Sequence, residues 1–182
     1  MTHFPVYTLD TAPELSRPAL NGLAQAFGRV PNIAGAMAGS SQLINGLVGV
    51  FGQVHGGSFT EAEIQVLLLT NAVTNASAWA VAFHSCLALK EGLSDTDVQA
   101  IRQRRLPQDA RHAALSRLAR ALIENRGHLD DAAKKAFMSA GFNASLLLEV
   151  ILVVAASTMT NYTASVAQLA LDEFLEPFAW SA

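Results

Sequence analysis

The chain has one cysteine, Cys86, in 182 residues. A lone thiol excludes an internal disulfide framework and any chemistry that needs two thiols of the same chain. Charge is scarce as well. Asp, Glu, Lys and Arg make up 15% of the residues, against about 25% in an average soluble protein. The net charge of −3 and the lack of a basic cluster beyond Arg102–Arg105 leave no footprint for nucleic acid. That short run reads as a solvated helix end. No apolar run reaches the length of a membrane span, and the longest, Leu146–Ala156, is interrupted by Glu149. The opening MTHFPVYTLD lacks the basic-then-apolar pattern of a secretory signal. A cytoplasmic protein without a membrane partner is the expectation.

Several site signatures are missing too. His3, His55, His112 and His128 are scattered, and no His-x-x-x-His or Glu-x-x-His pair occurs, so no metal is expected. There is no Gly-x-Ser-x-Gly elbow, phosphate loop or dinucleotide fingerprint, so no cofactor is expected either. No stretch alternates with the period of a β-strand.

What remains is helical: one all-α bundle, expected as a single domain over residues 1–182. Residues 1–12 read as extended and packed on the body or on a neighbour. Ser16 and Pro18 open a helix to about Gly28. Pro31 and Asn32 start a short one to Met37, and residues 42–55 form a third, closed by Gly56 and Gly57. Ser94 caps a helix through about Arg104, Ala110–Arg126 makes a longer one, and Asp130 and Asp131 start another to Ala140. Asn143 caps the last long segment, Ala144 to about Leu171. Several of these helices are apolar on more than one face, so a homo-oligomer is expected.

The chain is organised around FTEAEIQVLLLTNAVTNASAWAVAFHSCLALK, Phe59 to Lys90. Thr60 and Glu63 form a capping-box pattern. Ile64–Val73 is apolar almost all round, as in a buried helix. Thr74 and Asn75 interrupt it, and a second helix runs from Ala76 to about Lys90 before Gly92. Ser77, Ala80 and His84 fall at i, i+3 and i+7 of that helix, on one face. At about 1.5 Å per residue, Gln65 and His84 lie at similar distances on either side of the hinge. Folded back, they meet. This spacing predicts a site of Gln65, Ser77, Ala80 and His84, with Trp79 and Phe83 as walls of a small-molecule pocket. The same residues also fit a core histidine bonded to a neighbouring carbonyl, beside small side chains that permit close helix packing.

The stretch resembles the core motif of the alkylhydroperoxidase D / carboxymuconolactone decarboxylase-like family. NASAWAVAFH, Asn75 to His84, follows the family's Asn-Gly-Cys-x-x-Cys-x-x-x-His frame. FTEAEIQVLLLT, HSCLALKEGLSD and MTNYTASVAQLALDEF carry the likeness outwards over most of the chain. The resemblance implies the helical fold of that family and its usual self-association. In redox members, it implies an acid twelve residues before a Cys-x-x-Cys and a histidine four after. Here the acid position is Gln65, the cysteine positions are Ser77 and Ala80, and only His84 is kept. A serine hydroxyl and an alanine methyl cannot run a dithiol cycle. The decarboxylase branch needs a carboxylate near Ala80, which is also missing.

Glu149, inside LLLEVILVVAA, is the one acid in the apolar helices able to replace the missing one. It shares a helix side with Ser145, Ala156 and Thr160, and fits an exposed stripe equally well. Ser77 is too far along the helix from His84, roughly 10 Å, for direct activation. Cys86 is two residues past His84 and faces elsewhere. Three functions stay open. One is a small-molecule binder without thiol redox chemistry. The second is a proton-transfer enzyme using His84, with Ser77 and Glu149. The third is a peroxiredoxin-type antioxidant, or alkylhydroperoxidase, working through Cys86.

Overall fold

The computed structural model describes residues 4–181, so His3 lies outside the described residues. Nine α-helices and two 3-10 turns account for the ordered elements there, with no strand among the described residues. In chain order they are α1 Arg17–Phe27, α2 Asn32–Met37, α3 Ser41–His55, α4 Glu61–Thr74, α5 Ala78–Lys90, α6 Asp95–Arg102, α7 Ala110–Glu124, α8 Asp131–Ser139 and α9 Ala144–Ala167.

The α4–α5 hairpin is the hub. Every residue of α4 from Glu63 to Val73 is buried, and so is every residue of α5 from Trp79 to Ser85. Two helices that are apolar all round must be enclosed on all sides. Accordingly α4 packs against α5, α6, α7 and α9. The start of α4 is fixed by the capping box: Thr60 Oγ1 accepts from the Glu63 N–H at 3.2 Å, and Glu63 Oε2 accepts from the Thr60 N–H at 3.0 Å. Ser94, Asn143, Asp109 and Asp130 cap α6, α9, α7 and α8 through the side-chain oxygen alone, each accepting the backbone N–H three residues on.

The hinge differs from the reading in which the second helix begins at Ala76. Ala76 is left-handed, with φ 52°, and Ser77 is the extended N-cap of α5. The Ser77 N–H donates to Ala72 O at 3.0 Å, and the Ala76 N–H donates to Val73 O at 3.2 Å. These two bonds satisfy the last carbonyls of α4 in the manner of a Schellman motif. Only a left-handed residue at position 76 lets both form. The far end of α5 closes the same way at Gly92, φ 90°.

The last helix ends at Ala167 rather than near Leu171, because Gln168 turns left-handed, φ 49°. The chain beyond it folds back as a strap over α5 and α6. Leu175 is fully buried there, in a 3-10 turn, Glu173–Phe178. Arg102 pins the strap and is therefore not part of a solvated helix end. Its Nη1 donates to Ser85 Oγ and to Phe178 O at 2.9 Å, and its Nη2 donates to Ala179 O at 2.8 Å. Trp180 Nε1 returns a bond to Arg102 O.

The expectation that no segment reaches the length of a membrane span also needs correction. Once the chain is folded, α9 is one 24-residue helix, long and apolar enough to cross a bilayer. Its packing on α2, α3, α4, α5 and α7 buries one face, and only 33% of its most apolar stretch is buried.

Candidate functional site

The α4–α5 hairpin brings Gln65 and His84 together. His84 Nδ1 lies 3.1 Å from Gln65 Oε1, and both side chains are buried. In this arrangement Nδ1–H donates to the amide oxygen, leaving Nε2 as the free lone pair. Burial pushes the His84 pKa down to about 3, and repulsion from the His55 ring adds to it. Desolvation disfavours the imidazolium, and a neutral amide offers it no countercharge. The ring is therefore neutral across the physiological range. It can donate and accept hydrogen bonds but is a weak base.

Ala80 is fully buried. Ser77 is buried beside the last turn of α4, and its Oγ has no hydrogen-bond partner among the described residues. Both amide atoms of fully buried Asn71 are likewise unpaired. The Ser77 N–H bond to Ala72 places Ser77 alongside that same turn. A sealed polar group without a partner costs roughly 1–3 kcal/mol, so this hinge carries polar capacity that its own fold does not use.

Trp79 and Phe83 stack with ring centroids 4.9 Å apart, and the edge of Phe83 meets Phe27 and His84, each at 5.3 Å. Trp79 Nε1 donates to Asp172 Oδ2 at 2.8 Å. Asp172 also accepts the Asn32 N–H at 3.0 Å. The two aromatic rings thus form a stacked cover beside His84, tied down through Trp79 by the C-terminal strap. Two cavities lie elsewhere, one between the N-terminal segment and α9 and one at the α3–α4 loop.

No family profile matches the sequence, and neither does any curated protein. Solved structures do match. The alkylhydroperoxidase AhpD core protein of Ralstonia eutropha JMP134, a peroxidase-related protein, superposes with a TM-score of 0.84 at 15% identity, over 95% of this chain and 93% of that one. A peroxidase-related protein from Silicibacter sp. TM1040 gives 0.79 at 18% identity, over 96% and 95%. The debrominase Bmp8, in complex with 2,3,4-tribromopyrrole, gives 0.78 at 16% identity, over 98% and 96%.

The chain has the alkylhydroperoxidase D fold.

At these identities the likeness carries the fold alone, and the chemistry rests on this chain's own residues. Within the alkylhydroperoxidase D fold, Glu149 sits apart from the Gln65–His84 pair in its bonding. Its Oε2 accepts the Ser58 N–H at 2.8 Å and its Oε1 accepts the Ser58 hydroxyl at 2.7 Å. It closes the loop between α3 and α4 and lines the cavity there, about 210 Å³. Of its proposed helix side, Ala156 and Thr160 are buried while Ser145 is exposed. Cys86 is half-buried and free, and burial pushes its thiol pKa up, which lowers its thiolate fraction.

Two groups escaped the sequence reading. His55 ends α3 with Nδ1 2.9 Å from Glu61 Oε2, close enough to His84 to depress it. Asp172 joins the cover to the strap. Both contacts span loops or long separations, where no helical period signals them. Among the described residues, no three His, Cys, Asp or Glu side chains gather as metal ligands.

Proposed function

We propose that this protein binds a small uncharged molecule at the α4–α5 hinge and runs no thiol redox chemistry there. The observation that carries this reading is the His84–Gln65 hydrogen bond at 3.1 Å between two neutral partners. A dithiol peroxidase needs a nucleophilic thiolate, a resolving thiol and groups that move protons. At the matching positions this chain has a hydroxyl, a methyl and an amide. The unpaired Ser77 and Asn71 atoms supply hydrogen-bonding capacity for a polar guest. Entry requires Trp79 and Phe83 to swing aside. The imidazole then contributes a neutral Nε2 acceptor, which favours binding over proton abstraction.

The proposal extends to assembly: the exposed Leu148 and Ile151 on α9 are where copies of the chain associate, and light scattering on dilution reads this directly.

Peroxide consumption with a dithiol reductant tests the functional reading. The native protein and Cys86→Ser should both be inactive. The double change Ser77→Cys with Ala80→Cys should form a disulfide, and adding Gln65→Glu should raise turnover. Peroxide turnover by the native protein that Cys86→Ser abolishes, with the fold retained, would sink the proposal and restore the antioxidant alternative.

A further inference from the structure

The larger cavity, about 490 Å³, lies between the N-terminal segment, the ends of α2 and α9 and the start of α3. That is within the span of small-molecule sites, roughly 300–1,000 Å³. Three aromatic side chains line it, Phe4, Tyr7 and Tyr162, together with Met37, Leu43 and Val166.

The wall made by the N-terminal segment is held in place by backbone contacts. The Tyr7 N–H donates to Gly35 O at 3.1 Å. A Cβ on Gly35 would lie 2.7 Å from Tyr7 O, and one on Gly39 would lie 3.4 Å from Tyr7 Cε2. Only glycine at position 35 allows so close an approach, so Tyr7 has a built seat. Tyr162 and Val166 form the opposite wall on the last turns of α9, 60% and 65% exposed.

Three features of the lining define a ligand. First, none of the three rings pairs with another, although paired rings occur in several other places in the molecule. The space between them is open to a flat ring, which offset or edge contacts would hold. Second, no charged side chain among the described residues lines the cavity, so an ion there would lose hydration without a countercharge from them. Third, neither tyrosine hydroxyl has a hydrogen-bond partner among the described residues, whereas the lining hydroxyl of Thr163 is engaged by Met159 O. Two phenols at an apolar cavity are free to bond a hydroxyl or keto group.

We propose that this cavity binds a neutral, flat aromatic molecule of one or two rings bearing a hydroxyl or keto substituent, at a site separate from His84. The test is calorimetric titration of the full chain with 2-naphthol, compared with Tyr162→Ala, Val166→Lys and His84→Gln. Tetramethylammonium serves as a cationic probe. Both α9 positions are exposed, and circular dichroism checks that the variants stay folded. The native chain should bind one 2-naphthol. Tyr162→Ala and Val166→Lys should each weaken it by about fivefold or more, His84→Gln should leave it unchanged, and tetramethylammonium should not bind. Absence of 2-naphthol binding would overturn the proposal. So would binding that both α9 variants leave intact, binding that His84→Gln abolishes, or selective uptake of tetramethylammonium.

Discussion

His84 and Gln65 face each other across the α4–α5 hairpin, 3.1 Å from Nδ1 to Oε1, and neither has a carboxylate partner among the described residues. The pair sets a pH dependence. The His84 pKa falls from 6.5 in the open chain to about 3 in the fold, so the unfolded state binds the extra proton first. The stabilisation is complete above 6.5 and is lost as pH falls toward 3. The slope reaches at most about 1.4 kcal/mol per pH unit. Urea unfolding of native protein and His84→Gln, compared between about pH 7 and pH 5, should show the steeper decline in the native chain. Glu63, depressed despite its burial by the Thr60 N–H and Arg111, loses its contribution in more acidic solution and does so in both proteins. Equal slopes would show that His84 titrates alike folded and unfolded.

Ala76 occupies a left-handed position at φ 52°, where a Cβ costs roughly 1–2 kcal/mol. Glycine fits it without strain but loses more chain entropy on folding. Ala76→Gly should raise stability by about 0.5–1 kcal/mol, read from the denaturation midpoint. A loss of stability would mean that the hinge geometry differs from the one described.

Asp172 serves two donors, Trp79 Nε1 and the Asn32 N–H. Asp172→Ala leaves both without an acceptor and frees one end of the strap. A destabilisation of about 1–3 kcal/mol is expected, with a changed Trp79 fluorescence spectrum. Separating this signal from Trp180 requires Trp180→Phe as the background. An unchanged spectrum would show that the strap does not hold the cover.

Much of this arrangement is legible in the sequence. The caps at Thr60, Ser94 and Asn143 act within three residues, and sequence spacing reads such contacts directly. The meeting of Gln65 and His84 followed from helix rise and a visible hinge. The backbone at the hinge was less legible, since alanine gives no sign of a left-handed turn. The strap was hidden because Arg102 finds carbonyls at Phe178 and Ala179, far along the chain. Glu149 looked free to replace the missing acid, yet its oxygens are engaged by Ser58, a partner 91 residues away.

The central claim is that His84 is a neutral hydrogen-bonding group. The most direct test is ¹⁵N NMR of the histidine rings between about pH 5 and pH 8, on native protein and on Gln65→Glu. The native His84 ring should stay neutral throughout, protonated on Nδ1, while a carboxylate at position 65 should raise its pKa. A native His84 that titrates near the ordinary histidine value, with both nitrogens protonated at the acidic end, would contradict the account.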